Sequence, residues 1–126
     1  MRDTRRELGK FGEKLVADYL RRHGYSIRET NYRCPVGEMD IVATEGECLV
    51  FVEVRTRRGR GLGLPEESIT PAKQAKLVEV AQTYLQERGE AAADWRIDVV
   101  AVELTPGGRL RRIGLIKNAV GGESEL

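Results

Sequence analysis

A chain of 126 residues has room for one domain, since domains usually hold about 100–150 residues and folding at this size removes roughly two-thirds of the unfolded chain's surface from water. Its 40% hydrophobic content is ordinary, and no apolar run nears the ~18 residues of a membrane span; the charged start MRDTRRELGK is unlike a secretory signal, so a cytoplasmic chain without a membrane partner is expected, its two cysteines, Cys34 and Cys48, free thiols. The net charge of +1, from 21 basic and 20 acidic residues, excludes no partner by itself.

Thr4 to His23 sets Leu8, Phe11, Leu15 and Tyr19 on one stripe at helical spacing and stops at Gly24, the pattern of an amphipathic helix. Tyr25 to Arg33 alternates as a strand before the turn residues Cys34-Pro35-Val36-Gly37. Met39 to Thr44 and Cys48 to Thr56 are β-rich runs around Glu45-Gly46-Glu47, which predicts a hairpin. The following RTRRGRGLGLPEES has no period and reads as a loop. Thr70-Pro71 supplies an N-cap and a proline at the first helical position, and Ala75, Val78, Ala81, Tyr84 and Leu85 continue as an apolar stripe to Gly89. Trp95 to Leu104 is a strand, Thr105 to Gly108 a turn, and Arg109 to Ile116 a last strand. The helix between the third and fourth strands is long enough for a crossover, so the class is α/β, a mixed sheet of about five strands with helices on its faces. Residues 1–120 are expected to form a single domain and 121–126 a flexible acidic tail.

The near-neutral total hides a junction. Cys34 to Val54 holds Glu38, Asp40, Glu45, Glu47 and Glu53 without one Lys or Arg, and Arg55, Arg57, Arg58 and Arg60 follow at once. If Gly46-Glu47 is the two-residue turn, Glu45 pairs with Cys48 and Asp40 lies opposite Glu53; if the turn is Glu45-Gly46, Asp40 is diagonal to Glu53. In both registers the two carboxylates share a face, and strand alternation adds Arg55 to it. Acidic residues on a hairpin are ordinarily solvated surface. Here Glu53 sits within LVFVEV, apolar on both faces, where a charge is not cheaply solvated. Like charges across a strand pair need a cation between them or a raised pKa. A hard divalent ion held by one or two carboxylates, with room left for phosphate oxygens, is what magnesium prefers, and a cation beside it suits a reaction that builds negative charge.

At these residues the chain resembles a family. Gly12-Glu13, GEMD at Gly37 to Asp40, FVEVRTR at Phe51 to Arg57, the Pro65 to Lys73 stretch, RIDVV at Arg96 to Val100 and Asn118-Ala119 together resemble the YraN-like family of uncharacterised bacterial proteins. That family is similar to the PD-(D/E)xK nuclease superfamily, above all to archaeal Holliday-junction resolvases. The resemblance implies a restriction-endonuclease-like three-layer α/β/α fold, a Mg²⁺ or Mn²⁺ cofactor, nucleic acid (DNA favoured) as partner, and a two-fold homodimer. It also implies Asp40 and Glu53 as metal ligands, the backbone carbonyl of Val54 as a third, and Glu13 as the helix-borne glutamate of the resolvase-like branch. Small Gly9 and Ala17, one turn either side of Glu13, would let a sheet approach it. Glu38 shares the face of Asp40 by parity and is read as capping the turn.

Arg55 departs from the pattern, which has lysine there. Arginine supplies charge and forked hydrogen bonds but stays protonated and is bulkier. Lys73, near the start of the second helix, is the candidate to replace that lysine, with Gln74 beside it. Arg57, Arg58 and Arg60 are placed to neutralise phosphates, while Arg109, Arg111, Arg112 and the N-terminal Arg2, Arg5 and Arg6 read as solvated charge. GRGLG lacks the GK[ST] ending of a phosphate loop, the single His23 suits a helix C-terminus, and Asp98 reads as a buried structural acid paired with an arginine. The expected function is a metal-dependent endonuclease acting on nucleic acid, branched DNA included; the alternative is a non-catalytic nucleic-acid-binding module on the same fold.

Overall fold

The computed structural model describes residues 4–59 and 64–120. In chain order these form α1 (Thr4–Arg22), β1 (Ser26–Cys34), β2 (Gly37–Glu45), β3 (Cys48–Arg58), a 3₁₀ turn (Pro65–Ser68), α2 (Pro71–Glu87), β4 (Trp95–Leu104) and β5 (Leu110–Val120). The five strands lie in sequence order in one sheet. Only β3 and β4 run parallel, because α2 connects them and carries the chain back to the same end.

β3 is buried on both faces. Val50 and Val52 join Ile41, Val100 and Val102 under Val16 and Leu20 of α1. On the other face Leu49 and Phe51 join Met39, Val42 and Ile97 under Leu77, Val80 and Tyr84 of α2. The result is the expected three-layer α/β/α architecture around a mixed sheet.

Several local expectations change. On α1 the buried row is Val16, Ala17 and Leu20, whereas Phe11 is 45% exposed and Leu15 and Tyr19 pack only at the edge of the core. The helix meets the sheet at Gly12, where an added Cβ would lie 1.9 Å from Thr56 Oγ1; Gly9 faces open space. On α2 the buried row is Leu77, Val80, Ala81, Tyr84 and Leu85, while Ala75 is exposed and Val78 half-buried. Thr70 does cap α2, its Oγ1 accepting from the Lys73 N–H at 3.1 Å, and Pro71 opens the helix. The arginine stretch that reads as loop is strand as far as Arg58, because Arg55 to Arg58 pair with Ala101 to Leu104 of β4. Arg60 and the tail, 121–126, lie outside the described residues.

The RIDVV and Asn118 motifs build a lock away from the acidic pair. Asp98, fully buried, accepts from Arg96 Nε at 2.9 Å, from the Tyr25 hydroxyl at 3.2 Å and from the Asn118 N–H at 2.9 Å. Arg96 also donates to Glu45 at 2.6 Å. Every oxygen of this acid is engaged, which is what a buried carboxylate needs. His23 stacks on Tyr19 and its Nδ1 donates to the Tyr19 carbonyl at 2.8 Å, closing the end of α1.

Candidate functional site

The hairpin takes the first register: Gly46 has φ 61 and Glu45 pairs with Cys48, but the ladder stops at Ile41 and Val52. One residue further on, where Asp40 would face Glu53, β2 leaves β3. The Asp40 side chain fills the gap, its Oδ2 accepting the Val54 N–H at 2.8 Å. Strict alternation also fails here. Met39 and Val42 both enter the α2 core while Ile41 enters the α1 core, and Asn31, beside Asp40 on β1, sits at φ 55. This slip lets Asp40 be reached from both faces of the sheet.

Groups from four elements use that opening. Glu13 of α1 lies near enough to Asp40 and Asn31 for both to act on its carboxyl. Glu53 of β3, 5% exposed, likewise feels the Asp40 carboxyl beside it. Arg55 Nη2 lies 3.0 Å and Lys73 Nζ of α2 3.7 Å from Glu53 Oε2. In an antiparallel pair a residue turns its N–H and C=O to the same neighbour, so the Val54 carbonyl faces the Asp40 side as well. Glu13, Asp40, Glu53, Arg55 and Lys73, five residues that span 61 positions of sequence, thus meet at one place.

Crowding of carboxyls sets their protonation. Burial and the neighbouring Asp40 push Glu53 up to about 7, against the pull of Lys73 and Arg55. Burial and Asp40 likewise push Glu13 up to about 7, although the Asn31 hydrogen bond opposes the rise. Asp40 is raised by burial, with the Val54 N–H, Glu53, Glu13 and Lys73 acting the other way. Near neutrality Glu13 and Glu53 are therefore partly protonated.

Among the described residues no group of three or more His, Cys, Asp or Glu side chains stands in a metal-ligating arrangement. The donor chemistry of the three carboxyls still fits a hard divalent ion: oxygen only, with negative charge dense enough to retain protons near pH 7. An ion there would replace those protons.

The remaining candidates spread out. Glu38 lies beyond the slip, exposed, and acts on Glu13 only through its charge. Arg57 is half-buried on β3, and Arg58 donates through Nε to the Pro106 carbonyl at 2.9 Å. Gln74 turns from the acids toward β4 and β5, its Nε2 donating to the Ile69 carbonyl at 3.3 Å. Arg109 and Arg111 are exposed, and Arg112 pairs with Glu103. Sequence reasoning missed Asn31. An asparagine inside a strand, where that residue is depleted, was its signal.

A single mixed sheet between two helices, with acids and cations converging where a hairpin splays, defines a small three-layer α/β/α domain with an acidic centre. The chain belongs to UPF0102, an uncharacterised protein family, whose profile matches residues 12–102 and so runs from Gly12 into β4, over every residue of the cluster. It is 53% identical over 121 residues to a UPF0102 protein of Dehalococcoides mccartyi, covering 95% of this chain and 98% of that one. A UPF0102 protein of Moorella thermoacetica is 47% identical over 116 residues, covering 92% and 97%, and one of Pelotomaculum thermopropionicum 43% identical over 119 residues, covering 94% and 99%.

Proposed function

We propose that this domain binds nucleic acid, DNA first, and hydrolyses phosphodiester bonds with Mg²⁺ or Mn²⁺. The observation that carries the reading is the convergence of Glu13, Asp40 and Glu53, from three elements, with the Lys73 ammonium 3.7 Å from Glu53. Asp40 and Glu53 would hold the ion with the Val54 carbonyl, and Glu13 would stand behind Asp40. When bound, such an ion acts as a Lewis acid and lowers the pKa of water. The chain's own contribution is electrostatic. Lys73 and Arg55 flank Glu53 and offset the charge that grows on phosphoryl oxygens as the bond breaks. Lys73 brings the compact ammonium that Arg55 replaces on β3, so the departure at position 55 does not leave the centre without a lysine. Arg57 and Arg58 continue along β3 toward the flanking backbone, where phosphate contacts give salt-dependent binding with little base preference.

The second reading, a non-catalytic nucleic-acid-binding module, is favoured by Arg55. The two separate in one assay: purified protein with single-stranded, duplex and four-way-junction DNA, and with RNA, in Mg²⁺ or Mn²⁺, beside Asp40→Ala and Glu53→Ala. Metal-dependent cleavage lost in both variants is expected. Equal cleavage in the variants would overturn the metal-site mechanism, and binding without cleavage of any substrate would favour the module.

A further inference from the structure

Next to Glu53, on the α2 side of the sheet, a cavity of about 200 Å³ is lined by Ile69, Gln74, Val99, Ile116 and Ala119. Its place beside the acids follows from the register. Val99 is the partner of Glu53 on β4, so their side chains share a face about 4.8 Å apart, one strand spacing. Gln74 follows Lys73, whose Nζ approaches Glu53. Among the described residues the walls are aliphatic except for one amide. A carbonyl can only accept, so the end of Gln74 that meets the Ile69 carbonyl at 3.3 Å is the NH₂, which fixes the amide and leaves Oε1 as the acceptor. Oε1 has no partner among the described residues.

Small-molecule sites usually exceed about 300 Å³, whereas a single base is smaller and flat. Bases taken out of a stack are held between apolar walls with hydrogen bonds to their edges. The cavity offers such walls and one fixed acceptor, and the Lys73 ammonium, one residue before Gln74, lies 3.7 Å from the neighbouring Glu53. We propose that it seats the base of an unpaired, amino-bearing nucleotide, such as adenine, that flanks the scissile phosphate. This deepens the nucleic-acid reading and rests on it. The domain then selects strands with unpaired nucleotides, single or branched, over continuous duplex, which must first extrude a base.

Fluorescence anisotropy of the full chain with labelled oligoadenylate strands, in Ca²⁺ to hold back cleavage, tests the proposal. One adenine at a time is replaced by purine, which lacks the amino group, or by an abasic site. One position is expected to stand out: purine there weakens binding about threefold to tenfold, an abasic site about tenfold or more, and matched duplex binds less tightly than the single strand. Gln74→Leu should abolish the difference between adenine and purine while the abasic effect persists. Ala119→Leu, which fills the cavity, should make intact and abasic strands equal. Affinity that is uniform across wild-type positions, or competition by free adenosine monophosphate at the same concentration as by the strand, would overturn the assignment while leaving the nucleic-acid reading standing. If no strand binds, both fall.

Discussion

Asp40 holds the site together by accepting a backbone N–H from β3 and standing between two glutamates. Proton uptake by this row gives a signed prediction. The Glu53 carboxyl stands at about 7 when folded, against 4.5 as its ordinary value. An acid whose pKa rises on folding stabilises the fold fully below the unfolded pKa and loses that contribution as pH climbs through the folded one. Without divalent ions, the thermal midpoint should therefore fall between about pH 5.5 and about pH 8, worth roughly 2 kcal/mol for Glu53 and less for half-exposed Glu13. Glu53→Gln should flatten the fall, and Mg²⁺ should restore stability at the alkaline end; a midpoint rising with pH would contradict the assignment. Lys73→Met should lower the cleavage rate by about 10²-fold or more with strand binding retained, as read by single-turnover kinetics beside anisotropy. The residues that share a strand, Glu53 and Arg55, were legible from alternation alone, and Asp40 from the turn. Lys73 could be named but not placed, because its distance from Glu53 depends on how α2 returns across the sheet.

Two glycines set how closely the elements around the site approach. Gly12 lets α1 touch Thr56 and so brings Glu13 to Asp40. Gly37, with φ 153, opens β2 where an added Cβ would lie 2.9 Å from Val80 Cγ2 of α2. Gly12→Ala should destabilise the fold by about 1–3 kcal/mol, as overpacking does, and Thr56→Ala in the same chain should recover part of it, since the atom at 1.9 Å is the Thr56 hydroxyl. Chemical denaturation of the two single variants and the double would show the coupling; additive losses would mean that α1 is not seated at this contact. The same contact explains why the helix was found in the sequence but its buried face was not. Hydropathy follows large side chains such as Leu8, Phe11, Leu15 and Tyr19, and it passes over a face whose closest contact is a hydrogen. β3 was underestimated for a related reason: its last residues, Arg55 to Arg58, are charged, but backbone pairing with β4 continues through them.

At the scale of the molecule, the buried carboxyls among the described residues fall into two centres with different logic. Around Asp98 both carboxyl oxygens are satisfied, and besides its near neighbour Arg96 the links reach distant parts of the chain: Tyr25 before β1, Asn118 on β5 and, through Arg96, Glu45 at the end of β2. Removing one partner of such a group leaves the others buried and unpaired. Asp98→Ala should cost about 3–5 kcal/mol, while cleavage per folded molecule, measured well below its melting temperature, stays unchanged. Around Asp40 the opposite holds, with three carboxyls crowded together and two cations drawn to one of them. The near-zero net charge concealed this separation, since the acidic hairpin and the arginines that follow it cancel in the sum but not in space. Mg²⁺ titration of the chain near pH 7, followed by calorimetry in buffers of different ionisation enthalpy, tests the acidic centre most directly. One ion should bind with release of about one to two protons, and Asp40→Ala should abolish both the binding and the release. Absence of ion binding, or binding without proton release that survives Asp40→Ala, would contradict the account.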